Sequence, residues 1–257
     1  MDTPTTRQEY QQVVQLGAYR SLTNKRVFLL IGKPDKLLKG ITTNTLDAPM
    51  NAFINLFGKI EVLFAQKFTD NKCYLIFEQQ YEQRLHLFLE KYLKLTKTTL
   101  EVSPLHTYHL VNASFQQSIE IVIPQRFGFF ALAEQPPKGI SEMSEEVYTA
   151  LRVEHDYSVQ GIDFDQELIL NTNWKDVASL TKGCYLGQEV VARVNYLGKP
   201  PKKMARILQA EKNDNVSSRG VVIGNVTSLC YSPLYKGYCG FCLLKNEDVV
   251  LDHAKII

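Results

Sequence analysis

The run Thr181 to Arg193, TKGCYLGQEVVAR, sets a cysteine between a Lys-Gly pair and a second glycine. If a helix starts near Gly187 and runs through QEVVARV, Cys184 lies just ahead of its N-terminus. The partial positive charge there favours a thiolate. Lys182 is two residues back, and in an extended segment residues two apart project to one side. Gly183 and Gly187 let the backbone approach a ligand closely. On the helix, Val190, Val191 and Val194 face inward, with Gln188, Glu189 and Arg193 on the polar side. Glu189 and Arg193 have the i,i+4 spacing of a helical ion pair. The pattern points to a reactive thiol or transient ligand at Cys184 ahead of a permanent metal ligand. A small buried thiol is the structural alternative.

Other clusters carry less chemistry. Cys239 and Cys242 in CGFC have metal-ligand spacing but no second such pair. Cys230, His253 and Cys184 could join them only at irregular spacing, so no stably bound metal is expected. His106 and His109 have no carboxylate between them and read as solvated or core residues. Asp163, Asp165 and Glu167 alternate as acids without a calcium-loop glycine and read as a turn or pocket rim. Lys199, Lys202, Lys203 and Arg206 form a basic run with no interleaved aromatics. A solvated linker is expected there, and no direct nucleic-acid contact.

The elements that must position these residues follow from periodicity and breakers. Tyr81, Leu85, Phe88, Leu89 and Tyr92 make EQQYEQRLHLFLEKYLKL an amphipathic helix. TTRQEYQQVVQLG reads as a short helix stopped by Gly17. SEEVYTALRVEHD reads as another, with Ser144 as its cap. RVFLLIG, CYLIFE, TTLEVS, TYHLVNA, IEIVIP and GFFALA read as strands. NAFINL and IEVLFAQKF form a hairpin about Gly58. Pro34 suits the first turn of a short helix. NYLGKPPKK is a break. MARILQA, GVVIGNVTS, GFCLLK and DVVLDH beyond it predict a small all-β module. Helices and strands mix without regular βαβ repetition, so the class is α+β.

The chain of 257 residues is long enough for two or three modules and needs no disulfide staple. A net charge of +2 gives no global nucleic-acid footprint. Five cysteines without a framework spacing, a polar start and no long apolar run predict a cytoplasmic chain that does not enter a membrane.

KGCYLGQE, followed by Arg193, resembles the signature of the YgfZ family, folate-binding proteins related to the T-protein (aminomethyltransferase) of the glycine cleavage system. LRVEHDYSVQGIDFD resembles that family's Arg-x-Glu and Gly-x-Asp-Phe segment. LLKGITTNT and NAFINLFGKI resemble its N-terminal half, and GVVIGNVTSLCYSP its C-terminal barrel. The resemblance implies a T-protein-like α+β architecture around a central folate pocket. It divides the chain into a discontinuous folate-binding region (1–48 and 105–198), an α+β module (49–104) and a small C-terminal β-barrel (199–257). It implies an accessory role, dependent on tetrahydrofolate or a folate derivative, in assembly or repair of iron–sulfur clusters. The implied partners are client enzymes, tRNA-modifying enzymes among them, or cluster-assembly proteins. Cys184 and Lys182 would be the reacting groups. A pterin edge suits a carboxylate or amide, its faces aromatic walls, and a glutamate tail an arginine. Glu154 and Asn44 are candidates for the edge, Trp174 and Tyr185 for the walls, and Arg152 and Arg193 for the tail, with Gln188 and Glu189 alongside. The chain departs from the pattern in two places. Thr45 follows Thr43-Asn44 where the family has an acid. Val62 and Leu63 align with the acidic pair of T-proteins, which argues against ordinary aminomethyl transfer. A folate-dependent one-carbon transferase and a non-catalytic scaffold are the other two readings.

Overall fold

A computed structural model describes residues 4–113, 119, 121–245 and 249–257. In chain order the elements are α1 (Pro4–Leu16), β1 (Ala18–Ser21), β2 (Lys25–Ile31), α2 (Pro34–Leu38), β3 (Met50–Ile54), β4 (Ile60–Thr69), β5 (Lys72–Glu78) and α3 (Glu82–Thr96). There follow β6 (Thr99–Val102), β7 (His106–Val111), β8 (Ile121–Pro124), β9 (Phe129–Ala133), α4 (Glu145–Glu154) and α5 (Gln188–Tyr196). The last strands are β10 (Lys202–Gln209), β11 (Asn215–Ser218), β12 (Val221–Asn225), β13 (Thr227–Ser232), β14 (Gly237–Lys245) and β15 (Ala254–Ile256). Among the described residues no helix is long and apolar enough to cross a membrane.

A five-stranded antiparallel sheet, ordered β3-β4-β5-β2-β6, forms the first half. β2 pairs with both β5 and β6, so this sheet draws on residues either side of the expected division at 48/49. Its strands alternate as a period of two requires. Phe28, Leu30, Val62 and Phe64 face α2 and α3, where Leu85 and Leu89 of α3 are fully buried. Burying each such leucine stabilises by about 1.5–3 kcal/mol. Val27, Leu63, Ala65 and Ile76 face the other way. They meet Phe130, Leu132, Ile121 and Ile123 of a four-stranded sheet ordered β1-β7-β9-β8. The large core lies between these two sheets and is closed by Val147, Tyr148 and Leu151 of α4.

The local signals hold where they were strongest. Gly17, at φ 78°, stops α1; the Ser144 hydroxyl accepts from Val147 N at the start of α4; and Gly58, at φ 74°, turns the β3–β4 hairpin. DVVLDH is a correction. Its Val249 and Val250 are not strand, and the edge strand beside β10 is Ala254–Ile256. Asp248 of that run and Glu120 of IEIVIP lie outside the described residues. The C-terminal module, expected as a small β-barrel, is built of strands. Among the described residues its strands form an open sheet, β13-β14-β10-β15, and a separate ribbon, β11-β12. The ribbon packs over the sheet without joining its ladder: a Cβ on Gly224 of β12 would come within 2.5 Å of the Cys242 sulfur on β14.

Candidate functional site

The loop between Ser179 and Gly187 is held from three sides. Ser179 N donates to Thr43 O at 2.9 Å, and the Ser179 hydroxyl accepts from the Thr181 and Lys182 amides. The Lys182 ammonium donates to Thr42 O (2.5 Å), Thr42 Oγ1 (3.1 Å) and Asn44 O (3.0 Å). Burial of this amine pushes its pKa down to about 8. Its nitrogen lies 5.6 Å from the centre of the Tyr185 ring. Tyr185 is buried, with a hydroxyl that has no hydrogen-bond partner among the described residues, and burial pushes that hydroxyl up to about 12. At the far end, Gly187 takes φ 78° as the N-cap of α5 and abuts β3. A Cβ there would sit 2.3 Å from Asn55 O.

Thr42–Thr45 is in turn organised by Asn51, a fully buried residue of β3. Its Oδ1 accepts from Asn44 N at 2.7 Å, and its Nδ2 donates to Asn44 O and Thr45 O. Sequence reasoning missed Asn51. The available signal was a lone amide inside an apolar strand, which must find several partners once buried.

Cys184 is exposed, three residues ahead of the N-cap of α5, and makes no hydrogen bond or ion pair among the described residues. Gly183 at φ 102° breaks the extended run, and the Lys182 ammonium points to Thr42 and Asn44. On α5, Val191 is buried and Val190 and Val194 are partly so, while Glu189 and Arg193 are exposed and form no ion pair with each other. Gln188 is partly buried.

The other named residues lie elsewhere and are occupied. Arg152 is buried at the end of α4; it donates to Tyr157 O, Asp163 Oδ2 (3.2 Å) and Ser228 Oγ (2.8 Å). Asp163 also accepts from Val159 N, Thr227 Oγ1 and Ser228 Oγ. Glu154 is buried and accepts from Tyr10 OH at 2.7 Å and from the Ser232 hydroxyl. The Arg-x-Glu and Gly-x-Asp-Phe segment thus joins α1 and α4 to β13. The Asn44 side chain turns back on its own loop, with Oδ1 accepting from Thr45 N.

Trp174 is fully buried in the wall of the intersheet cavity, edge-on to Tyr157, with Nε1 donating to Ser158 O and the Arg126 guanidinium 4.1 Å above its ring. Around this cavity stand Phe130, Tyr157, Gln160 and the ion pair of Lys25 and Glu78 at 2.5 Å. A carboxylate, an amide and three aromatic walls are groups a pterin would use. The space is about 20 Å³, room for a single water, whereas ligand pockets occupy roughly 300–1,000 Å³. In this closed form the cavity does not fit a folate. Leu63 stands on its wall, and Val62 is buried on the opposite face of β4. Among the described residues no group of three or more His, Cys, Asp or Glu side chains gathers to hold a metal ion. Cys239 and Cys242 lie in different apolar clusters.

No family model matches the chain, and no curated protein does. Among solved structures it is similar to the glycine cleavage system aminomethyltransferase T from Bartonella henselae. The TM-score is 0.75 at 12% identity, over 93% of this chain and 81% of that one. At that identity the likeness is one of fold: the chain has a T-protein-like fold.

Proposed function

We propose that this chain is a thiol-presenting accessory protein on a T-protein-like fold, serving iron–sulfur enzymes in the assembly or repair of their clusters. The observation that carries the reading is Cys184: an exposed thiol on a loop pinned at Ser179 and Lys182 and seated by Gly187 against β3. A pinned loop presents the sulfur to a partner without the entropy cost of ordering it on contact. In cells lacking the native protein, the chain is expected to restore iron–sulfur enzyme activity and Cys184→Ser to fail. Equal rescue by the variant would overturn the reading.

Tetrahydrofolate or a derivative belongs to this reading as its ligand. The fold supports it and the closed cavity stands against it. Trp174 is the only tryptophan and lines that cavity. Calorimetric titration of tetrahydrofolate with Trp174 emission recorded in parallel decides the point. Heat with a change in emission places the ligand between the sheets; heat without one places it elsewhere; no heat removes folate from the function. Aminomethyl transfer is disfavoured because Val62 and Leu63 are core residues and supply no acid.

A further inference from the structure

The cysteines that Cys184 leaves unexplained include a pair. We infer that Cys230 and Cys239 form a dithiol site that closes to a cross-strand disulfide. In the antiparallel pairing of β13 and β14 the two residues stand directly opposite, with sulfurs 3.8 Å apart. Opposed antiparallel residues have Cα separations of about 4.5–5.5 Å, inside the range a disulfide needs, so only a side-chain rotation must bring the sulfurs to about 2.05 Å. Cys242, three residues on, is on the other face of β14 among Ala205, Ile207 and Leu244 and is not placed to compete.

The two thiols differ in access, which orders the chemistry. Cys230 is partly exposed and lines a cavity of about 300 Å³ between α1, α4 and β13, with Arg7, Lys212, Glu145 and Glu146 among the residues on its walls. Cys239 is fully buried. A small disulfide such as glutathione disulfide enters the cavity. The Cys230 thiolate attacks one of its sulfurs, forms a mixed disulfide and releases one thiolate. Cys239, after giving its proton to the thiolate just released, attacks the Cys230 sulfur and expels the second. The protein loses two protons and two electrons, and the small disulfide leaves as two thiols. The hydrogen bond to Cys239 and burial both hold the Cys230 proton on, so closure is slow near neutrality and quickens with alkali. The bond would lock β13 to β14 beside Val153 of α4, at the seam that Arg152 and Glu154 build.

The test uses the full chain carrying Cys184→Ser, incubated with glutathione disulfide at a pH near that of a free thiol's pKa, about 8.5. Trypsin cuts after Arg219, Lys236 and Lys245, so Cys230 falls in peptide 220–236 and Cys239 in 237–245. The expected product is the two peptides linked with loss of two hydrogens. The link should be absent from Cys239→Ser and from Cys230→Ser, the latter at the more accessible position, and retained in Cys242→Ser. Both peptides recovered as free thiols from folded protein, or a link that survives Cys239→Ser, would overturn the assignment.

Discussion

His109 offers a sharp quantitative test of the intersheet packing. The ring is fully buried on β7, boxed by Phe127, Phe130, Tyr148 and Tyr157. Nε2 lies 2.6 Å from Phe127 O, so it carries the proton, and Nδ1 accepts from Tyr148 OH at 2.9 Å. Burial lowers the pKa to about 3, from about 6.5 in an open chain. Because the folded value is depressed, the unfolded chain binds the extra proton first. The contribution is intact above pH 6.5 and is lost as pH falls toward 3. At pH 5 the unfolded state gains about 2 kcal/mol from protonation that the folded state cannot match, and at pH 4 about 3 kcal/mol. With no solvent around the ring, no screening discount applies. Urea unfolding of the wild type and His109→Gln at pH 7.5 and 5.0 isolates this term, since all other groups titrate alike in both proteins. The amide can serve both partners but cannot titrate. The wild type should lose about 2 kcal/mol more than the variant across that interval, a large share of a typical total of about 5–15 kcal/mol. A difference under about 0.5 kcal/mol would mean that the ring accepts a proton in place, and the depressed pKa would be refuted.

Lys182 should show the linkage at alkaline pH. Its folded pKa of about 8 lies below that of free lysine, so wild-type stability should rise relative to Lys182→Met between about pH 8 and 10.5. The full shift corresponds to about 3 kcal/mol; for a half-buried amine about 1–2 is expected, read from paired urea titrations. Arg152→Met should cost about 3–5 kcal/mol, because it leaves the buried Asp163 charge with its hydrogen bonds but without its countercharge. Double-mutant analysis with Asp163→Asn should recover part of that loss. Gly187→Ala should be worse than Gly58→Ala by at least about 1 kcal/mol in thermal unfolding, although both have positive φ. At Gly187 the new Cβ meets the Asn55 carbonyl at 2.3 Å, whereas at Gly58 it meets a movable Leu168 methyl at 2.9 Å.

What could be read from the sequence was local. The spacing of Leu85 and Leu89, the Ser144 cap, Gly58 in its hairpin and Gly187 ahead of α5 each depend on neighbours within a few residues. The elements that escaped are short or polar. AYRS (β1) and NVSS (β11) have no apolar alternation, AKI (β15) is only three residues long, and pairing with β7, β12 and β10 makes them strands. DVVLDH misled for the converse reason, since apolar residues there gain no partner strand. The site splits along the same line. The start of α5 was legible, but the partners of Lys182 lie about 140 residues away in sequence. Arg152 and Glu154 looked like ligand groups because the residues that occupy them, Asp163, Ser228, Ser232 and Tyr10, are brought by three other segments.

The closed intersheet cavity bounds what any ligand placed there can achieve. Take Trp174, the largest fully buried side chain, as the group that moves to admit a ring. That movement gives up its hydrogen bond to Ser158 O, about 1 kcal/mol, the Arg126 contact, about 1, and burial of the indole, about 2 or more. The sum, about 4 kcal/mol, leaves an open form populated at roughly one part in a thousand. Observed affinity then falls by the same factor, because a ligand binds only the competent fraction. A folate with micromolar apparent affinity would need nanomolar affinity for the open form. Removing the plug should return most of the factor: Trp174→Ala would bind a pterin-sized ligand more tightly than the wild type if the cavity is the site. A variant that bound no better, in a protein that still bound tetrahydrofolate, would show that the ligand sits outside the two sheets. The exposed face around Cys184 would then be the place to look.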